Sequence, residues 1–151
     1  RVVELLLQRG AQVDMPNSKG VTALMNAAHY GRERVVELLL RHGAEINLQD
    51  SDGDTALMDA ALHGHEQVVD LLVRHGAEVN MQSSDGNTAL MAAAGNGHER
   101  MVDLLIRHGA ELNLQSSNGD TALMFAALGN HIAIVLRLLR TGADMTLRTE
   151  D

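Results

Sequence analysis

The residues of this 151-residue chain best equipped for chemistry are its eight histidines, because a neutral imidazole can bind a metal ion or move a proton near neutral pH. Six of them fall on two ladders. His65, His98 and His131 follow one another at 33-residue intervals, and so do His42, His75 and His108. Equivalent positions in neighbouring units of a helical stack lie roughly 10 Å apart, too far to share one zinc ion at its ~2 Å bond lengths. Both ladders therefore read as structural, and no metal site is expected. His63 and His65 form a His-x-His pair, which is too weak a signal to define a site. Met25, Met58, Met91 and Met124 make a third ladder of soft thioethers; Cu(I) would accept them in principle, and core packing suits them better. The pairs Ser83-Ser84 and Ser116-Ser117 stand among turn formers with no base nearby. The chain has no Cys, hence no thiolate, disulfide or Cys-based zinc site, and it contains no Gly-x-Gly-x-x-Gly, P-loop, His-Glu-x-x-His or nucleophile-elbow signature. No catalytic residue, no cofactor and no enzyme are expected.

Composition narrows the partners. The net charge is −8 with neutral His, and no cluster of Lys or Arg offers a footprint for phosphate. Nucleic acid and anionic membrane surfaces are therefore disfavoured, whereas a basic or neutral protein fits. The apolar stretches at 35–36 and 38–40 are interrupted by Glu37, so no segment reads as a membrane span or a signal peptide. The expected setting is intracellular, cytoplasmic or nuclear. Aromatics make up 1% of the chain, as Tyr30 and Phe125, and small or unbranched side chains supply most of the apolar 45%, a palette for thin, closely stacked helices.

The elements that position these residues follow from a repeat. Gly-Asp-Thr-Ala-Leu-Met at 53–58 recurs as Gly-Asn-Thr-Ala-Leu-Met at 86–91 and as Gly-Asp-Thr-Ala-Leu-Met at 119–124, a period of 33. One such unit is too small to bury a core alone and must stack on its neighbours. In the unit 50–82, Thr55 is placed to cap a two-turn helix that Gly64 ends. Residues 66–75 then put Val68, Val69, Leu71, Leu72 and Val73 on one stripe of a second helix, with Asp70 and Arg74 spaced to pair on its outer side and Gly76 placed to close it. Residues 77–87 are polar and contain Asp85-Gly86, a turn signal, so they project as a hairpin-like finger. The chain reads as a single domain, 1–151, with a partial unit 1–16, complete units 17–49, 50–82, 83–115 and 116–148, and a stub 149–151.

Asp/Asn-x-x-Gly-x-Thr, paired alanines in the first helix, Gly-His between helices, Val-Val-x-Leu-Leu-Leu in the second and Gly-Ala-x-Val/Ile-Asn after it closely resemble the ankyrin repeat over essentially the whole chain. The resemblance implies an all-α ankyrin-repeat solenoid, a monomeric array whose fingers and first helices line a concave groove and which serves as a non-catalytic protein–protein interaction scaffold. One departure is systematic: Thr-Ala-Leu-Met stands where the family has Thr-Pro-Leu-His, so the four methionines are expected to form an apolar column. Projected onto this chain, the groove takes Lys19, Val21, His29 and Tyr30 from the first complete unit and Asp52, Asp54, Leu62 and His63 from the second. The third supplies Asp85, Asn87, Gly95 and Asn96, and the fourth Asp120 and Leu128, with Gln49, Gln82 and Gln115 at its edge. His29, Tyr30, Leu62 and His63 are the expected centre of an interaction patch, since aromatic and apolar anchors dominate binding; the acidic side chains favour a basic segment. The bland alternative is a merely solvated polar face.

Asn47, Asn80 and Asn113, each eight residues after Leu39, Leu72 or Leu105, resemble ankyrin asparagines hydroxylated by an oxygen-sensing asparaginyl hydroxylase. Their main role is expected to be a hydrogen bond across the finger. Leu136 falls where Glu37, Asp70 and Asp103 face solvent, which turns the back of the last unit apolar. Arg1 begins within a second helix and Asp151 stops within a finger, as expected of an excised piece of a longer protein. A structural spacer or regulatory arm of a multidomain protein is the rival reading; the near-identity of the copies suits recent duplication or an engineered consensus scaffold.

Overall fold

Each helix pair begins at a threonine hydroxyl. Thr22, Thr55, Thr88 and Thr121 are extended, and their Oγ1 atoms accept from the backbone N–H of Met25, Met58, Met91 and Met124 at 3.2–3.4 Å. This satisfies one of the free amides of a new helix, so Thr-Ala-Leu-Met starts a helix without the proline of the usual motif. The computed structural model, which describes residues 4, 5 and 8–149, contains four such first helices: α1 (Ala23–His29), α3 (Ala56–Leu62), α5 (Ala89–Gly95) and α7 (Ala122–Leu128). Each is followed by a longer partner: α2 (Glu33–Arg41), α4 (Glu66–Arg74), α6 (Glu99–Arg107) and α8 (Ile132–Thr141). The described residues are all-helical, with no strand. Arg1 and Asp151, where helix and finger were expected to be cut, lie outside the described residues, as do 2–3, 6–7 and 150.

Helices of seven to ten residues are unstable alone, so packing must hold them. Each first helix packs on its own partner and on the first helices beside it, and the first-helix layer is in denser contact than the second-helix layer. Alanines make that close approach possible: Ala28, Ala60, Ala61, Ala93, Ala94 and Ala126 are fully buried. The first-helix layer is thereby the more tightly packed of the two. Val36 and Leu39, then Val69 and Leu72, then Val102 and Leu105 close the core from the other layer. Met25, Met58 and Met91 form the expected buried column, and Met124 is half-buried.

The histidine ladder at 65, 98 and 131 is an inter-repeat tie. His65 Nε2 donates to the carbonyl of His29 (2.9 Å), His98 Nε2 to that of Leu62 (3.0 Å) and His131 Nε2 to that of Gly95 (3.0 Å). In the second ladder, His42 and His75 bond through Nδ1 to the carbonyls of Leu38 and Leu71 at their own helix ends, both at 2.8 Å.

One expectation about the fingers is corrected. Asn47, Asn80 and Asn113 do not bond across their own finger; their Oδ1 atoms accept from the backbone N–H of Glu78 (2.9 Å), Glu111 (2.8 Å) and Asp144 (2.9 Å), each one repeat further on. At the edge of the projected groove, Gln49, Gln82 and Gln115 are committed within the array. Gln49 donates to the carbonyls of Gly53 and Gln82, Gln82 to those of Gly86 and Gln115, and Gln115 to those of Gly119 and Arg148, so they stitch finger to finger. Backbone bonds complete the stitching at the tips: Ser51 to Lys19, Ser84 to Asp52 and Ser117 to Asp85. Ser83 and Ser116 accept backbone N–H bonds within their own turns, as loop residues do.

Candidate binding face

Aligning the first helices by their period places Asn26, Asp59, Ala92 and Phe125 at one level, and His29, Leu62, Gly95 and Leu128 at the next. The third unit carries the smallest side chain at both. A hollow opens there, about 320 Å³, walled by Leu62 on one side and Phe125 on the other, with Met58, Thr88 and Met91 beneath and Asp54, Asp59, Asn87 and Asn96 around it. Ala92 and Gly95 make up the remaining lining. A Cβ built on Gly95 would only touch Phe125, at 3.5 Å, so the space is open because the side chain is missing.

The projected residues divide accordingly. Asp54, Leu62, Asn87 and Asn96 line the hollow. His29 and His63 gather instead on Asp59 beside it: His29 Nδ1 lies 3.1 Å from Asp59 Oδ1, and the two imidazole centroids are 4.1 Å apart. Tyr30 meets His29 edge-on and is 61% exposed. Lys19, Asp52 and Asp85 are exposed at the finger tips, Val21 and Asp120 are half-buried, and Leu128 stands 86% exposed at the far end. The hollow thus lies between α3, α5 and α7, and Tyr30 is not part of its lining. Sequence reasoning missed Asp59, Ala92 and Phe125 and had placed Gly95 in the groove. The in-register run Asp-Ala-Phe at 59, 92 and 125 was the signal available. On the opposite layer Leu136 is exposed as expected, next to the more exposed Ile132.

The polar atoms of the hollow favour a donor. Burial, reinforced by the carboxylates of Asp50, Asp59, Asp52 and Asp85, pushes the Asp54 carboxyl up to about 6. Burial also raises Asp59, against which His29 acts through its hydrogen bond and charge. Asn87 Oδ1 is buried with no hydrogen-bond partner among the described residues. These groups offer acceptors and negative charge inside apolar walls.

The raised Asp54 pKa has a measurable consequence. A carboxyl that titrates near 6 when folded and near 3.8 when unfolded binds its proton more tightly in the folded state. It therefore favours folding most below pH 3.8, and that contribution is lost as the pH rises through 6. Asp54→Asn, which installs the residue that Asn87 provides one repeat later, is expected to stabilise the protein at pH 7 and to flatten stability between pH 4 and 6.5. The effect is on the order of 1 kcal/mol after allowance for screening at a half-exposed position. Urea unfolding midpoints across that range check it, and an unchanged pH profile contradicts it.

A stack of short helix pairs with threonine caps, projecting fingers and a contiguous face along its first helices is a helical-repeat solenoid. The family described as "Ankyrin repeats (3 copies)" matches residues 1–83 and 76–149, and the chain belongs to the ankyrin-repeat family. No curated protein matches the chain. Ankyrin repeats are generally protein-interaction modules and generally non-catalytic. Among the described residues no helix is long and apolar enough to cross a membrane.

Proposed function

We propose that the chain is a non-catalytic scaffold that binds a segment of another protein on its first-helix face, and that a lysine or arginine of that segment enters the hollow between α3, α5 and α7. The observation that carries this reading is the pairing of apolar walls, Leu62 and Phe125, with polar groups that act as acceptors, Asp54, Asp59 and Asn87 Oδ1. A long basic side chain matches both, its methylene stem lying on the walls and its charged head donating to the acceptors. Tyr30, the acidic tips Asp52 and Asp85 and the half-buried Asp120 flank this point and suit a basic partner along a longer track.

The test uses peptides selected from a displayed random library on the immobilised chain. Enriched sequences are expected to carry Lys or Arg. Gly95→Leu, which places in the hollow the side chain found at 62 and 128, is expected to weaken their binding at least about tenfold while leaving the helical content unchanged. Replacing the exposed Asp52 and Asp85 together by Asn is expected to slow association and to blunt its salt dependence more than it speeds dissociation, because exposed charges act through steering over a screening length of about 8–10 Å. Peptides that lack basic residues, or that bind Gly95→Leu as tightly as the parent, overturn the reading.

A further inference from the structure

We propose that His29, Asp59 and His63 form a binding site for one divalent transition-metal ion, with zinc as the natural occupant. The three come from two helix pairs: His29 ends α1, Asp59 lies within α3, and His63 caps the C-terminal end of α3. Asp59 and His63 are four residues apart and so share a helix face. Their ligand atoms and that of His29 all lie within 4.8 Å of one another. Four-coordinate zinc, with bonds of ~2.0–2.1 Å, spaces its ligands about 3.3 Å apart. His29 Nδ1 and Asp59 Oδ1, at 3.1 Å, are already close to that spacing, and the remaining closure falls to the exposed His63 ring.

The surroundings set the tautomer a metal requires at His63, whereas the proton that His29 Nδ1 donates to Asp59 must leave when a metal binds. His63 Nδ1 lies 2.9 Å from the backbone carbonyl of Asp59, and a carbonyl oxygen only accepts, so Nδ1 carries the hydrogen and Nε2 keeps its lone pair. Metal-binding histidines use this outer bond to fix the ring and raise its basicity. His65 is excluded as a ligand through Nε2, which is committed to the carbonyl of His29; that bond instead anchors the end of α1 from which His29 projects. The carboxylates of Asp50 and Asp54 act on the same region and favour a cation. Two imidazoles and one carboxylate suit zinc, nickel or copper better than calcium or magnesium. Three protein ligands leave a fourth position for water or for a donor from a partner. The site lies off both histidine ladders, because His29 and His63 are 34 residues apart rather than 33, and it shares Asp59 with the neighbouring hollow.

The experiment is a zinc chloride titration by calorimetry on protein purified without a histidine tag and stripped with chelator. One equivalent is expected to bind, with a rise in Tm that chelator reverses. His29→Asn, Asp59→Asn and His63→Asn are each expected to weaken zinc at least about tenfold, whereas His108→Asn, on a ladder, leaves it unchanged; circular dichroism confirms that each variant is folded. Cobalt(II) in place of zinc is expected to show the intense visible bands of a four-coordinate site, lost in the same three variants. The proposal is overturned by absence of binding at millimolar zinc, or by stoichiometric binding that survives all three substitutions. Either result would leave a hydrogen-bonded His–Asp–His cluster and nothing more.

Discussion

Leu72→Ala is expected to lower the stability of the array by about 3–5 kcal/mol, the cost of deleting buried methyl groups plus the cavity they leave. Leu72 lies on α4, is 0% exposed, and belongs to a pair with described neighbours on both sides. In a stack where each repeat touches only the next, damage to a central pair also weakens the coupling between the repeats that flank it. Native stabilities of about 5–15 kcal/mol leave little reserve against such a loss. The unfolding transition should therefore shift to lower urea and broaden. Leu138→Ala on α8 removes an equally buried side chain, also 0% exposed, from the last described pair, and is expected to shift the midpoint without the same broadening. Circular dichroism against urea separates the two variants. A loss under about 1 kcal/mol at Leu72 would show that the pair repacks freely, contrary to the close alanine contacts around it.

The second large effect is a contrast between two glycines with similar backbone and different surroundings. Gly53 has φ +77°, and a Cβ there would lie 2.5 Å from the backbone nitrogen of Ser84, the atom that donates to Asp52 and ties one finger tip to the next. Gly76 has φ +96° with nothing within 4 Å of its Cβ position. Alanine at Gly76 incurs only the left-handed penalty, about 1–2 kcal/mol. Alanine at Gly53 incurs that and must also push neighbouring backbones away from each other, for a total of at least about 3 kcal/mol. Because Asp54 is the next residue, Gly53→Ala is also expected to distort the acidic edge of the hollow and weaken basic peptides. Equal destabilisation by the two substitutions would refute the role assigned to finger contact.

How much was legible beforehand depended on whether a feature is local. Threonine caps, glycine closures, apolar stripes and the pairing of Asp70 with Arg74 each involve residues within about four positions of one another, and the structure contains all of them. Copies of one local pattern at a 33-residue period impose a stack whatever the details of packing. The same reasoning assigned the histidine ladders to structure, and the carbonyls that His42, His65, His75, His98 and His131 choose emerged only with the fold.

Tertiary structure decided what lies on diagonals between repeats. Asn47, Asn80 and Asn113 reach 31 residues forward, and His29 meets Asp59 and His63 at 30 and 34 residues, offsets that an in-register comparison cannot display. The hollow is a subtler case, since it arises where Ala92 and Gly95 withdraw volume between Leu62 and Phe125. The sequence by itself determined the helix pairs, their caps and their order, because backbone hydrogen bonding and amphipathic burial act over a few residues. Which side chains face one another across neighbouring pairs, and hence where acceptors, imidazoles and empty space coincide, was settled only when the pairs packed.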